Sequence, residues 1–212
     1  MSMVTARVAA AVALLYAARR YYRNWGTTKE ECRSWLLGDE LVRQPFTRTT
    51  EGVWIDAPPS EVWPALVQVL HLDGEPAPGA VVRVAPAGWI KRLNHSLLTV
   101  QQMVTGESMV LRGSPPEFPW DAVWSFHVQP RWEDRCRLLL RMRANLRHPG
   151  DVVKVELAGP VTALSVRATL RAVKHRAESA YDRRSEPSTP MPVPPPGPDT
   201  RPQLGVPAAG QR

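Results

Sequence analysis

The chain has 212 residues, 43% hydrophobic and 22% charged, which suits one globular domain with extensions and is too short for two full domains. Its formal net charge of +7 comes mainly from arginines spread along the chain, and with no concentrated patch or reading motif this argues against a specific nucleic-acid partner. Its two cysteines, Cys32 and Cys136, share no CxxC spacing, so they read as reduced thiols and exclude a disulfide framework or a thiolate metal site.

Residues 1–26 form the first unit. An unbroken apolar run at residues 8–18 is closed by Arg19, Arg20 and Arg23. As a helix, those eleven residues span roughly 16 Å against a hydrocarbon core of about 30 Å, which makes a full crossing marginal. Tyr16, Tyr21, Tyr22 and Trp25 are residue types that settle at head-group level, and the arginines favour placing the following domain on the cytoplasmic side of the cell membrane. Two readings stay open: a membrane-associated anchor, or an alanine-rich helix packed on the domain or on a second copy in the cytoplasm.

Residues 27–45 read as a polar connector, with Thr27 or Thr28 capping a short helical turn through Glu30 and Glu31. The domain proper spans residues 46–182. Residues 46–57 read as a strand with Val53 and Ile55 on one face; Pro58 and Pro59 end it and start a helix that buries Val62, Leu66, Val69 and Leu70. A Gly/Pro loop at residues 71–79 leads to short strands at 81–85, 97–104 and 109–112. The alternation slips at Gln101, Gln102 and Met103, through either a bulge or a buried glutamine.

In residues 123–130, Trp124, Phe126 and Val128 take one face and His127 the other. In residues 136–144, Cys136, Leu138, Leu140, Met142 and Ala144 point in, Arg137, Arg141 and Arg143 point out, and Leu139 is the apolar exception. Residues 159–181 predict an amphipathic helix with Pro160 in its first turn. Val166, Leu170, Val173, Ala177 and Tyr181 make its stripe, while Arg167, Arg171 and Lys174 face away. Residues 183–212 read as a disordered tail, nine of the last 28 residues being proline.

Strand, helix, antiparallel strands and a long final helix predict an α+β fold, a curved antiparallel sheet with that helix laid across its apolar face. The stretches RNWGTTKEE (23–31), GDELV (38–42), VWIDAPPSEVWPALVQ (53–68), SMVLRG (108–113), VWSFHVQP (123–130) and GPVTAL (159–164) carry a resemblance. The chain resembles the START-like, Bet v 1-like (SRPBCC) superfamily of polyketide cyclases and lipid-transfer domains, and within it an actinobacterial branch. The resemblance implies a helix-grip fold: seven strands wrapped around the C-terminal helix, with an apolar cavity between. The chain departs from the family at LHLDGEPAPGA (70–80), which replaces a long segment rich in Gly, Trp and Tyr. The pocket is then wide open, closed by the N-terminal helix, or filled by Trp89, Trp120 and their neighbours.

No constellation demands a reaction. The five histidines lack metal-ligand spacing, and nothing points to a metal or cofactor. His127 and His175 read as solvated; His95, beside Asn94, is the candidate general acid or base. Val53, Ile55, Trp124, Phe126, Val128, Leu138, Leu140, Met142, Val166, Leu170 and Val173 line whatever lies between sheet and helix, a filled core or a ligand cavity. The first reading is a binding or transfer module for a hydrophobic small molecule or lipid. A cyclase- or dehydratase-type enzyme and an interaction protein with a vestigial cavity are the alternatives. Oligomeric state has no sequence signature here.

Overall fold

The computed structural model describes residues 5–7, 9–10, 13–14, 17, 23–72, 74, 76–84, 96–116, 118, 121–146 and 151–185. Trp89, Trp120, His95 and the tail after Ser185 therefore lie outside the described residues, as does most of the apolar N-terminal run. Among the described residues, no helix is long and apolar enough to cross a membrane.

Six strands form one antiparallel sheet: β1 (Thr47–Ile55), β2 (Val81–Val84), β3 (Ser96–Val104), β4 (Ser108–Gly113), β5 (Asp121–Trp132) and β6 (Arg135–Asn145). Their spatial order is β1-β6-β5-β4-β3-β2, so β2 to β6 run as a meander and β1 closes on the last strand. Between Val100 and Gln102 the β3–β4 register shifts, which resolves the slipped alternation as a bulge. Three helices accompany the sheet: α1 (Lys29–Arg33), α2 (Pro59–Val69) and α3 (Asp151–Ser185), with a 3-10 turn at Asp39–Val42.

Helix α3 packs on α2 and β1. Its stripe, Val166, Leu170, Val173 and Ala177, joins Ile55, Phe126, Val128, Leu138 and Leu140 of the sheet and Val62 and Leu66 of α2 in a single buried core. This is the helix-grip arrangement, with six strands among the described residues. Helix α3 begins earlier than the sequence predicts, because Asp151 opens a run of helix-compatible residues that reaches Gly159 and Pro160 without a break. Pro160 is thus interior, and its missing N–H leaves one carbonyl of the preceding turn without its helical donor.

Residues 24–43 are no loose connector; they lie across the outer face of the sheet. Thr28 caps α1 through a reciprocal capping box with Glu31. Val42, Leu37 and Leu41 pack against Val110 and Val123 in a second, smaller apolar cluster. Gly38 takes φ 94°, and a Cβ there would come within 2.8 Å of Val110. Gly26 takes φ 71° where the strap meets the carbonyl of Gly52, again leaving no room for a side chain.

The free edge of β1 is also covered. Thr50 N–H donates to Asn24 Oδ1 at 2.9 Å and Gly52 N–H to the Trp25 carbonyl at 3.0 Å. Further along, Lys174 Nζ donates to the Trp54 carbonyl at 2.9 Å, and Asp56 N–H to Glu178 Oε1 at 2.8 Å. An edge strand so occupied offers little template for another chain.

Candidate functional site

The inner-face residues named from the sequence divide by exposure. Ile55, Phe126, Val128, Leu138, Leu140, Val166, Leu170 and Val173 are at most 3% exposed, shut inside the core. Val53, Trp124 and Met142 are only half-buried. Cross-strand register explains where they sit: Thr49 faces Met142, Met142 faces Trp124, and Trp124 faces Leu111, forming one row across the sheet. The next row toward α2 runs Glu51, Leu140, Phe126 and Met109. The inner face is therefore closed in its middle and half-buried at Thr49, Met142 and Trp124, while Ala144 and Ala122 in the row beyond are buried again.

Glu51 is the residue that the sequence reading passed over. It lies two positions before Val53 and four before Ile55, so strand alternation alone places it on the apolar face. Its exposure is 1%, and its Oε2 lies 3.5 Å from Nε of Arg167 on α3. Burial pushes the carboxyl up to about 7, while the charge and hydrogen bonding of Arg167 pull it back down. Near neutrality the group is divided between acid and carboxylate, the state suited to giving or taking a proton.

Arg167 does not face away from the domain, as its helical phase predicts. Its guanidinium sits between Glu51 and the ring of Trp25, with the guanidinium carbon 5.2 Å from the ring centroid, and Arg171 lies over the same ring at 5.2 Å. Arg167 and Lys174 on this side of α3 are instead turned to β1, while Arg171 stays exposed over Trp25. Lys174 belongs to the same correction, since its ammonium caps β1 and pairs with Glu178 at 2.5 Å.

The outer face holds a second polar group. Arg137 makes a bidentate pair with Glu31, at 2.9 and 3.0 Å, and also donates to the Gly26 carbonyl. Arg141 donates to Asp39 Oδ2 at 2.6 Å, to the Ser34 and Glu31 carbonyls and to Thr50 Oγ1. Arg143 pairs with Asp39 at 2.7 Å and donates to the Val42 carbonyl. All three point outward as the alternation predicts, yet all three are buried, because the strap covers them. Burial pushes the Glu31 carboxyl up, but hydrogen bonds from Arg137 and Thr28 outweigh it and leave the group below the usual carboxylate range.

His127 is likewise buried rather than solvated, and its Nε2 meets no hydrogen-bond partner among the described residues. Desolvation first, then the charge of Arg141, depress it to about 4, against a smaller opposing pull from Asp39. Burial on the outer face sets this histidine on the opposite side of the sheet from Glu51. His175 is exposed on α3, in line with its sequence reading. Among the described residues, no group of three or more His, Cys, Asp or Glu is placed to hold a metal ion.

No family model matches the chain, and no curated protein matches it. Solved structures do. The aromatase/cyclase ZhuI of Streptomyces sp. R1128 is 19% identical, with a TM-score of 0.44 over 65% of this chain and 94% of its own. Norcoclaurine synthase of Thalictrum flavum is 14% identical, with a TM-score of 0.44 over 68% and 92%. A protein of Thermus thermophilus is 15% identical, with a TM-score of 0.44 over 63% and 99%. The helix-grip fold rests on the strand order and the gripped helix, and the chemistry has to be read from this chain's own residues.

Proposed function

We propose that the chain binds a hydrophobic small molecule or lipid at the half-buried Thr49–Met142–Trp124 row of the inner face, between it and helix α3. Glu51 and Arg167 meet the ligand's polar group. The observation that carries this reading is a carboxylate buried on an otherwise apolar face, one row from the only named inner-face residues of β5 and β6 that stay accessible. A carboxylate placed there for stability alone is an expense, since burial penalises its charged form. The same group supports a second reading, a cyclase- or dehydratase-type reaction in which Glu51 moves the proton that His95 was expected to move.

Native mass spectrometry of the full-length protein, extracted gently from its own membranes, tests the binding reading. One stoichiometric apolar molecule, absent from a Trp124→Ala preparation, is the expected result; a clean apo mass in folded protein removes the proposal. We further propose that the N-terminal apolar run holds the domain at the cytoplasmic membrane face. Deleting residues 1–22 should then move the protein from the membrane fraction to the soluble fraction, and a full-length protein already soluble would defeat this part.

A further inference from the structure

A second concavity lies at the far end of the molecule, where the β5–β6 hairpin meets the C-terminal end of α3. It is a groove of about 500 Å³ lined by Asp56, Trp132, Asp134, Arg135, Tyr181 and Asp182. Trp132 is 60% exposed and stacks on Trp54, itself 38% exposed, with ring centroids 5.9 Å apart. Arg135 braces this pair: its guanidinium lies 5.0 Å from one ring and 5.7 Å from the other, and its Nε is 2.7 Å from Asp56. Two adjacent indoles, one 60% and the other 38% exposed, are costly to leave without a partner. Of the three carboxylates that line the groove, Asp56 pairs with Arg135 and Lys174, which leaves Asp134 and Asp182 to face a cationic ligand.

Exposed aromatic rings next to carboxylates suit one class of ligand particularly well, a polyproline II segment carrying an arginine. Proline rings lie flat on indole and phenol faces, the extended backbone loses little entropy on docking, and the guanidinium finds the acids. Such a segment is attached to the groove. Helix α3 ends at Ser185, about one turn beyond Tyr181 and Asp182, and the chain continues for 27 residues that include MPVPPPGPDTR at positions 191–201. Four residues, 186–189, separate the helix end from Pro190 and span up to about 14 Å extended, enough to turn back over the last helical turn. We propose that residues 190–201 of the chain's own tail dock in this groove as a polyproline II segment. The prolines lie on Trp132 and Tyr181, and Arg201 faces Asp134 and Asp182.

The test uses full-length protein labelled with ¹⁵N at tryptophan, the indole N–H signals of Trp54 and Trp132 being identified with Trp54→Phe and Trp132→Phe. Replacing Pro190, Pro192, Pro194, Pro195, Pro196 and Pro198 by serine should shift these two signals and leave the other tryptophans in place. Arg201→Ala should shift them part of the way. A synthetic peptide of residues 188–202, added to the serine variant, should return them toward their original positions. Coincident indole signals in parent and serine variant overturn the proposal, as does a peptide that moves only other tryptophans. Indole positions in the parent that change with protein concentration assign the tail to a second copy and overturn docking within one chain.

Discussion

Glu51 and His127 titrate on opposite faces of one sheet and push stability in opposite directions. Glu51 is raised to about 7, so between its unfolded value near 4.5 and 7 the folded state holds the extra proton and stability falls as pH rises. His127 is depressed to about 4, so between 4 and about 6.5 the unfolded state holds the extra proton and stability rises with pH. Over pH 5 to 6.5 the two slopes, each about 1.4 kcal/mol per pH unit, oppose one another. Glu51→Gln should therefore make the protein gain stability relative to the parent as pH rises through this window. His127→Asn should make it lose stability there. Urea unfolding at pH 5.0 and 6.5 measures both, and parallel pH profiles for the variants and the parent would refute the assignment. The inner-face residues divide in the same measurement. Phe126→Ala, in the closed row, should cost about 3–5 kcal/mol. Trp124→Ala, in the half-buried row, should cost less and instead abolish uptake of an apolar ligand, read by native mass spectrometry.

At the scale of elements, the strap of residues 24–43 is held by its polar anchors. Asp39 serves Arg141 and Arg143 together, so Asp39→Ala leaves two buried guanidiniums short of their counter-ion and should cost about 3–5 kcal/mol. Replacing Arg141 and Asp39 together by Met and Leu should recover part of that loss, which denaturant midpoints would show. The strands and α2 were legible because alternation and Pro58–Pro59 are local signals, and all six strands fall within two residues of the ends read from sequence. The strap was not legible. Arg137, Arg141 and Arg143 read as solvent-facing because alternation reports which face a side chain takes and is silent on what covers that face. Glu51 was legible in phase and overlooked in chemistry. Arg167 was misplaced because helical phase cannot foresee that Trp25, far away in sequence, comes to lie beside it.

For the whole molecule, the two faces of the sheet do different work. The inner face meets α2 and α3 through apolar contacts and the one Glu51–Arg167 pair; the outer face meets the strap through ion pairs, backbone carbonyls and the small Val42–Val110–Val123 cluster. Gly26, with its left-handed backbone and no space for a Cβ, is where the strap turns onto the edge of β1. Gly26→Ala should lift this contact and expose the amide N–H groups of Thr50 and Gly52, so hydrogen exchange at those two positions should rise while core amides of β5 keep their protection. Equal loss of protection throughout would show that the strap and the core are one cooperative unit.

Strap and sheet are also far apart in time. Glu31 and the residue that clamps it, Arg137, are 106 positions apart, and the strap's remaining arginine anchors lie at comparable separations. At about 5–20 residues per second, a ribosome leaves the strap without its anchors for roughly 5–20 s after it has emerged. During that interval Glu31 and Asp39 of the strap are without their arginine partners. The segment that precedes β1 can therefore latch only once β6, the last strand of the sheet, has been made.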